Sequence, residues 1–255
     1  GAFLDSPNIA MLDLSFNKIS SENLNPDIFR GPFSDDAYSP INLHSLDLSH
    51  NELNYLDKML FEHTPELRKL DLSYNNFNNL DEGTDEALGK LEHLEILDLS
   101  YTAIMELPSA AITNMKHLSE LFLNGNSFLT VPESLSLVSQ SLEYLHLSDN
   151  PIEVISHESF VDLVKLEQLN ISGMSQLSAV ETGAFDTLVS LEVLHCRGNK
   201  KLDVIDVQSL LNKARIKELD LSNNNLTTLN FEAENITEEG EVKKYFQHLH
   251  TLKLT

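Results

Sequence analysis

The chain has 255 residues, 41% of them hydrophobic, and its 17 basic and 40 acidic residues give a formal net charge of −23. Nucleic-acid phosphates and anionic membrane surfaces attract clustered Lys and Arg, so this balance argues against both as partners. The sequence has no run of about 18 uninterrupted apolar residues, which argues against direct membrane insertion, and it shows no signal-peptide pattern at its N-terminus.

One frame recurs along the chain: a leucine, two free residues, a second leucine, one free residue, a third leucine, and usually an asparagine three residues later. Leu142, Leu145, Leu147 and Asn150 show it in full. Self-similarity at a fixed period of this length is typical of a solenoid. Two insertions, residues 20–40 and 230–248, lengthen the basic period of about 24 residues. The frames open at Ile9, Leu43, Leu67, Leu94, Leu118, Leu142, Leu166, Leu191, Ile216 and Leu249.

The frame predicts an α/β solenoid. Leucines that alternate with free positions have the period of a strand, and equivalent strands of successive repeats would pair in parallel with the leucines inward. The return halves carry apolar pairs such as Phe160 with Leu163, which would cover the other side of the core. We therefore expect a horseshoe with parallel strands on its concave face and irregular loops or short helical turns on its convex face. The recurring Asn is expected to bond backbone groups where the chain leaves the strand.

Residues 1–255 are predicted to form a single solenoid of about ten repeats. Residues 1–8 match the return half that begins at Gly183, and the last frame lacks its own return half. Solenoids need polar caps, so we expect an internal fragment of a longer repeat array without end caps. The single cysteine, Cys196, occupies a third-leucine position, which predicts a buried and inert thiol.

The pattern resembles the "typical" 24-residue leucine-rich repeats of animal extracellular proteins, with close matches in the Leu-Asp-Leu-Ser runs that begin at Leu46, Leu70 and Leu219. The resemblance covers essentially the whole chain. It implies a curved segment of a secreted or cell-surface protein, as in Toll-like receptors, Slit-like guidance proteins or chaoptin-like adhesion ectodomains. These families carry cysteine-containing caps that this chain lacks.

Two columns of free positions supply candidate partner-binding residues. In the first, between the second and third leucines, four acids would stack and repel unless neighbours, counterions or a cationic partner relieve them. In the second, directly before the Asn position, aromatic side chains fill the first four places, and rings beside carboxylates suit a basic protein surface. The candidates are Asp13, Phe16, Asp47, His50, Lys69, Asp71, Tyr74, Asp98, Tyr101, Phe122, Tyr144 and His146.

Catalysis fits the sequence poorly. His146 and His195 lie two strands apart in one column with Asn170 between them, which disfavours a shared metal or a histidine-centred triad. Gly-rich phosphate loops and Cys/His metal spacings are absent from the sequence. We therefore expect no catalytic residues, no cofactor and no metal site.

Three sequons begin at Asn170, Asn225 and Asn235, a number close to chance. The first insertion, with Phe29, Phe33 and Tyr38, is interpreted equally well as a contact loop or as a covering flap.

These observations favour a non-enzymatic protein-recognition module of a cell-surface or secreted receptor or adhesion protein. Its partner would be another protein, for instance one with a basic surface, or a second copy of the chain. A structural spacer within a long repeat ectodomain is the main alternative, and an intracellular scaffold stays open.

Overall fold

The computed structural model describes residues 2–207, 210–211, 215–229 and 248–254. They fall into two compact units, Gly1–Asn126 and Ser127–Thr255. Within each unit, the repeats contribute one short strand each to a parallel ladder that follows the order of the chain. The strands of the first unit are Met11–Asp13, Ser45–Asp47, Lys69–Asp71, Ile96–Asp98 and Glu120–Phe122, and those of the second are Tyr144–His146, Gln168–Asn170, Val193–His195, Glu218–Asp220 and Thr251–Lys253.

Each ladder is in phase with the leucine frame, because the second leucines of neighbouring repeats pair with one another. Leu46 pairs with Leu12 on one side and Leu70 on the other. Leu46, Leu48 and Leu70 are completely buried, and burial of a leucine side chain contributes about 1.5–3 kcal/mol. The predicted fold class, a solenoid of parallel strands with leucines inward, is therefore confirmed within each unit.

The return side of the repeats consists of turns, short helices and two-residue strands. The predicted apolar pairs of this side, Phe160 with Leu163 and Phe185 with Leu188, are buried as expected. The α-helices are Glu82–Leu88 and Ser109–Ile112, and the 3₁₀ helices are Ser21–Asn23, Pro26–Phe29 and Glu133–Val138. Val154–Ile155 pairs in parallel with Ala179–Val180, and Val204–Ile205 pairs in parallel with Thr228–Leu229.

The recurring asparagines join neighbouring repeats through the backbone. Asn75 Nδ2 donates to the carbonyl of Leu72 in its own repeat at 3.0 Å and to that of Leu48 in the preceding repeat at 2.9 Å, while its Oδ1 accepts from the amide of Leu53 at 2.9 Å. This pattern confirms the structural role predicted for the asparagines. It recurs at Asn51, Asn126 and Asn224, and Asn150 and Asn199 contribute subsets of the same bonds.

Two repeats fill the asparagine position differently. Thr102 Oγ1 donates to the carbonyl of Leu99 at 2.7 Å, so a hydroxyl replaces one of the amide bonds. Met174 fills the slot in the repeat that opens at Leu166, and its side chain is completely buried. The backbone amide of Met174 still donates to Oδ1 of the next asparagine, Asn199, at 2.8 Å.

The first insertion is partly core and partly surface. Phe29 is completely buried, so it acts as a cover for the core and not as a contact residue. Phe33–Ser34 and Ala37–Tyr38 form a small antiparallel hairpin in which Phe33 remains 61% exposed and the guanidinium of Arg30 lies 4.7 Å from the Tyr38 ring centroid. Most of the second insertion, residues 230–247, lies outside the described residues.

Cys196 lies in the core, where burial raises the pKa of its thiol to about 12. The prediction of a buried, unreactive thiol is therefore confirmed. Among the described residues, no helix is both long and apolar enough to cross a membrane.

The asparagine bonds give a testable difference between two chemically identical substitutions. Asn75→Ala should leave the buried Leu72 carbonyl and Leu53 amide without partners, at about 1–3 kcal/mol for each group, and should remove one of the two amide bonds that the Leu48 carbonyl accepts. Asn17→Ala should cost far less, because Asn17 bonds only exposed carbonyls of its own repeat. Hydrogen exchange measures this: the Leu53 amide should lose protection in Asn75→Ala alone. Equal effects of both substitutions would contradict the proposed role.

Candidate functional site

The residue before the asparagine position adopts the same unusual backbone conformation in nine repeats. Its φ angle lies between 52° and 73° each time, in the left-handed region where the chain turns out of the strand. Gly, Asn and Asp tolerate this region, whereas other residues pay about 1–2 kcal/mol for it. The nine residues are Phe16, His50, Tyr74, Tyr101, Gly125, Asp149, Gly173, Gly198 and Asn223.

The first unit places four rings in this left-handed column, and they form a continuous stack. Ring centroids are 4.0 Å apart for Phe16 and His50, 4.1 Å for His50 and Tyr74, and 4.5 Å for Tyr74 and Tyr101. The interplanar angles are 13°, 10° and 16°, so the rings lie face to face. The aromatic candidates of the first four repeats therefore form one surface, which we call the ring stack.

The ring stack ends on a glycine and remains open to solvent along its edges. A Cβ atom built on Gly125 would lie 2.2 Å from the Tyr101 ring, so the ring occupies the place that a side chain would need. Tyr74 and Tyr101 are nevertheless 45% and 39% exposed, although each has a neighbour on both faces. The stack is thus an exposed aromatic ridge and not part of the core.

Stability alone does not explain this choice of residues. The left-handed conformation destabilises an aromatic residue by about 1–2 kcal/mol relative to glycine. Stacking of two rings stabilises the fold by about 0.5–1.5 kcal/mol per pair. The second unit has the same backbone turn and fills it with Asp149, Gly173, Gly198 and Asn223, which are residues suited to the left-handed region. The rings of the first unit are therefore a departure from the conformationally favoured residues with little net gain in folding free energy.

The acid column runs beside the ring stack, each acid three residues before a ring. Asp13, Asp47, Asp71 and Asp98 pair in register across adjacent strands. Each carboxylate accepts a hydrogen bond from the backbone amide of the serine two residues later, at 2.8–2.9 Å. The expected repulsion is thus relieved by neighbouring backbone dipoles within the fold, which favours the scaffold interpretation of this column.

Burial adds a further electrostatic feature at the C-terminal end of the acid column. It raises the pKa of Asp98 despite the hydrogen bonds from Ser100, and the Asp71 charge adds to the rise. Burial also raises the pKa of the Tyr74 hydroxyl, with contributions from Tyr101 and Asp98. The ring stack therefore lies in a region of negative potential, which attracts cations.

The remaining candidates do not join the ring stack. Lys69 is exposed at the start of its strand, and Phe122 is half-buried where Asp occupies the other strands of the first unit. Tyr144 and His146 belong to the second unit, where their rings make an edge contact at 6.2 Å. The structure therefore brings together Phe16, His50, Tyr74 and Tyr101, with the four acids beside them.

The surroundings of His146 define its protonation state. Asn170 Oδ1 accepts from the amide of Ser172 at 3.1 Å, which fixes the orientation of the Asn170 amide group. Asn170 Nδ2 must then donate to His146 Nε2, 2.9 Å away, so this nitrogen carries a lone pair. Ser148 Oγ lies 2.7 Å from the same nitrogen. Burial lowers the pKa of His146, in agreement with a neutral ring.

No metal centre is evident in the described part of the chain. It contains no group of three or more His, Cys, Asp or Glu side chains that could hold a metal ion. Asn170 pairs with His146 on one side and His195 on the other, as the sequence predicted.

The two described sequons differ in accessibility. The Asn170 side chain is half-buried, and its amide nitrogen is engaged with His146. Asn225 is exposed. Asn235 lies outside the described residues.

Family comparison agrees with the repeat frame. The model of the leucine rich repeat matches residues 41–96, 76–128, 116–175 and 140–200, and a second leucine rich repeat model matches residues 215–233. No curated protein sequence matches the chain.

Several solved structures are similar. The TLR13–ssRNA13 complex is 28% identical over 98% of this chain, with a TM-score of 0.67, and the match covers 37% of that chain. Internalin C2 of Listeria monocytogenes is 22% identical over 87% of this chain, with a TM-score of 0.60, and 81% of it is covered. Toll in the Drosophila Toll–Spatzle complex is 22% identical over 89% of this chain, with a TM-score of 0.58 and 39% of that chain covered. The two matches at 22% identity support the fold alone.

The environment of His146 predicts how it titrates. Its folded pKa should lie below the ordinary value of about 6.5, so its contribution to stability is present above that pH and is lost as the pH falls through the folded pKa. His157 is an internal comparison, since the hydrogen bond that its ring donates to the Glu181 carboxylate raises its pKa. NMR of the imidazole protons should show His146 titrating below His157. Asn170→Asp should raise the His146 midpoint, and an unchanged midpoint would contradict the assigned contact.

Proposed function

The chain belongs to the leucine-rich-repeat family, and we propose that it is a protein-recognition module of a cell-surface or secreted receptor or adhesion protein. The observation that carries the proposal is the ring stack. Four solvent-exposed rings occupy left-handed positions where smaller residues are conformationally favoured, and stacking offsets that backbone cost with little net gain in folding free energy. A binding surface accounts for them, since exposed aromatic ridges are typical of protein interfaces.

The chemistry beside the rings favours a partner with a basic surface. Both faces of Tyr74 and Tyr101 are occupied, but their hydroxyl oxygens can accept hydrogen bonds from a guanidinium or ammonium group, and a hydrogen bond to a charged group contributes about 1.5–3 kcal/mol. The acid column and the net charge of −23 would attract such a partner and accelerate its approach at low salt. A second copy of this acidic chain is less suited electrostatically, because the two surfaces would repel.

Relatives support the extracellular part of the proposal. The similar structures include Toll in complex with Spatzle and TLR13 in complex with a single-stranded RNA. The acidic ring-stack surface suits a basic protein better than a polyanion, because phosphates would meet like charge. A 24-residue repeat of the extracellular class fits these neighbours and the spacing of the frame. These likenesses support our proposal that the protein acts outside the cell or on its surface.

The main alternative is a structural spacer. The acid–serine bonds favour it, because they show that the most regular surface column serves the fold. The ring stack distinguishes the alternatives, since a spacer has no need for it.

The binding role is tested with a pair of substitutions chosen to spare the backbone. Tyr74→Asn with Tyr101→Asn removes two rings and installs a residue that tolerates the left-handed region, as Asn223 does in its own repeat. Folding stability should change by no more than about 1 kcal/mol, because relief of backbone strain opposes the lost stacking. Affinity for the partner should fall by about 10-fold or more, as expected for aromatic hot-spot residues.

The partner is first captured from surface proteins of the source organism and identified, and its affinity is then measured by interferometry at two salt concentrations. Tyr55→Asn is the matched control, because Tyr55 lies outside the ring stack and should leave affinity unchanged. Binding should weaken with salt. Equal binding by the wild type and the ring-stack variant would overturn the proposal, as would a partner whose affinity rises with salt.

An extracellular location predicts glycosylation, and the structure distinguishes the described acceptors. Chain secreted from animal cells should carry a glycan at the exposed Asn225, so Asn225→Gln should remove one glycosidase-sensitive mass increment. Asn170→Gln should leave the mass of the glycans unchanged, since the Asn170 amide is half-buried and bonded to His146. A glycan found at Asn170 and none at Asn225 would contradict this assignment.

A further inference from the structure

The second unit contains a surface cavity of about 720 Å³ on its strand face. It lies where the ring column of the first unit is replaced by small residues. The space beside Gly198 is open, because the nearest atoms to a Cβ built on this residue belong to the Gly173 backbone, about 3.8 Å away. The cavity is therefore a consequence of glycine at a position that carries rings elsewhere.

The repeat beneath this cavity departs from the pattern at three successive outward positions. Where other repeats have an acid followed two residues later by a serine, this repeat has His195 and Arg197. The next residue is Gly198. Neighbouring Asp220 and Ser222 keep the pair, with bonds of 3.0 Å from the serine amide and 2.6 Å from its hydroxyl. A hydrogen bond to a charged group contributes about 1.5–3 kcal/mol. The repeat with His195 and Arg197 lacks this stabilisation, which suggests that these two residues serve another purpose.

The acids around the cavity are already engaged. Lys253 Nζ lies 3.1 Å from Glu218 Oε1 and 3.5 Å from Asp220 Oδ2. Burial raises the pKa of Asp220, but the bonds from Ser222 and the Lys253 charge outweigh it and hold that pKa below its usual value. The Asp149 carboxylate lies over Gly173, where it accepts from Ser148 Oγ at 3.3 Å. These carboxylates are thus neutralised or hydrogen-bonded within the fold.

The Arg197 guanidinium retains donor capacity. The Arg197 side chain is exposed, and its guanidinium forms no ion pair with any described residue. His195 Nε2 is buried and lies 3.4 Å from Glu218 Oε1, so it faces a carboxylate of the fold, while the His195 ring lines the cavity. A planar guanidinium with free donors matches the two oxygens of a carboxylate.

We infer that this cavity binds a carboxylate group of a partner polypeptide, with the Arg197 guanidinium as its receptor. One guanidinium neutralises a monoanion, whereas a polyphosphate would meet the negative field of a chain with net charge −23. The inference rests on the proposed function in one respect, namely that the carboxylate belongs to a protein partner. Its site is separate from the ring stack, and each can fail without the other.

The test uses N-acetylglutamate α-amide as a monocarboxylate probe and N-acetylglutamine α-amide as its neutral isostere. Titration of the whole chain, followed by NMR of the His195 imidazole protons, should show saturable shifts with the carboxylate and none with the amide. Arg197→Gln should weaken binding by about 10-fold or more, which is the loss of one charge-assisted bond. Arg197→Lys should fall between, because it keeps the charge and loses the planar fork.

Lys200→Gln is the matched control: it removes the same charge from an exposed residue of the same repeat that does not line the cavity. It should change affinity less than about 2-fold, as expected for a remote, screened charge. Equal losses in Arg197→Gln and Lys200→Gln would overturn the inference in favour of general charge attraction. Tighter binding of inorganic phosphate or a single-stranded RNA oligonucleotide than of the carboxylate would also overturn it.

Discussion

Much of the surface chemistry follows from one backbone constraint, the left-handed turn that ends each repeat strand. The turn is fixed because the asparagine after it bonds carbonyls of its own and the preceding repeat, as Asn75 does with Leu72 and Leu48. Every side chain just before an asparagine therefore projects from the same backbone conformation, directly beside its equivalents in the next repeats. This single constraint decides whether a column becomes a ridge or a cavity.

The two units use the constraint in opposite ways. Where the residues are Phe16, His50, Tyr74 and Tyr101, side chains spaced by strand pairing stack face to face and build an exposed ridge. In the second unit, Gly198 leaves space above the end of its strand, and a cavity results. Gly125 also shows the connection between size and shape, because its missing side chain is replaced by the Tyr101 ring.

The leucine frame predicts the strands, the buried return pairs, the asparagine bonds and the inert Cys196, because each depends on a local pattern that ten repeats average. The four aromatic candidates are also identifiable as a column. The stacking of these rings and their left-handed backbone conformation cannot be predicted from the sequence, since φ depends on how the turn closes against the neighbouring repeat. The burial of Phe29 and the exposure of Phe33 cannot be predicted from the sequence either. Two phenylalanines four residues apart in an insertion show no periodicity that would assign one of them to the core.

Function in such a repeat depends on which polar groups the fold leaves unused. The acid column is the most conspicuous sequence feature, yet each of its four carboxylates is satisfied by an amide two residues later. A partner that used those oxygens would have to compete with bonds already made and would gain little beyond long-range attraction. The Arg197 guanidinium forms no ion pair with any described residue, and the edges of Tyr74 and Tyr101 are exposed. A partner can therefore gain the full energy of each new contact there, and departures from the repeat carry more binding potential than its regular residues.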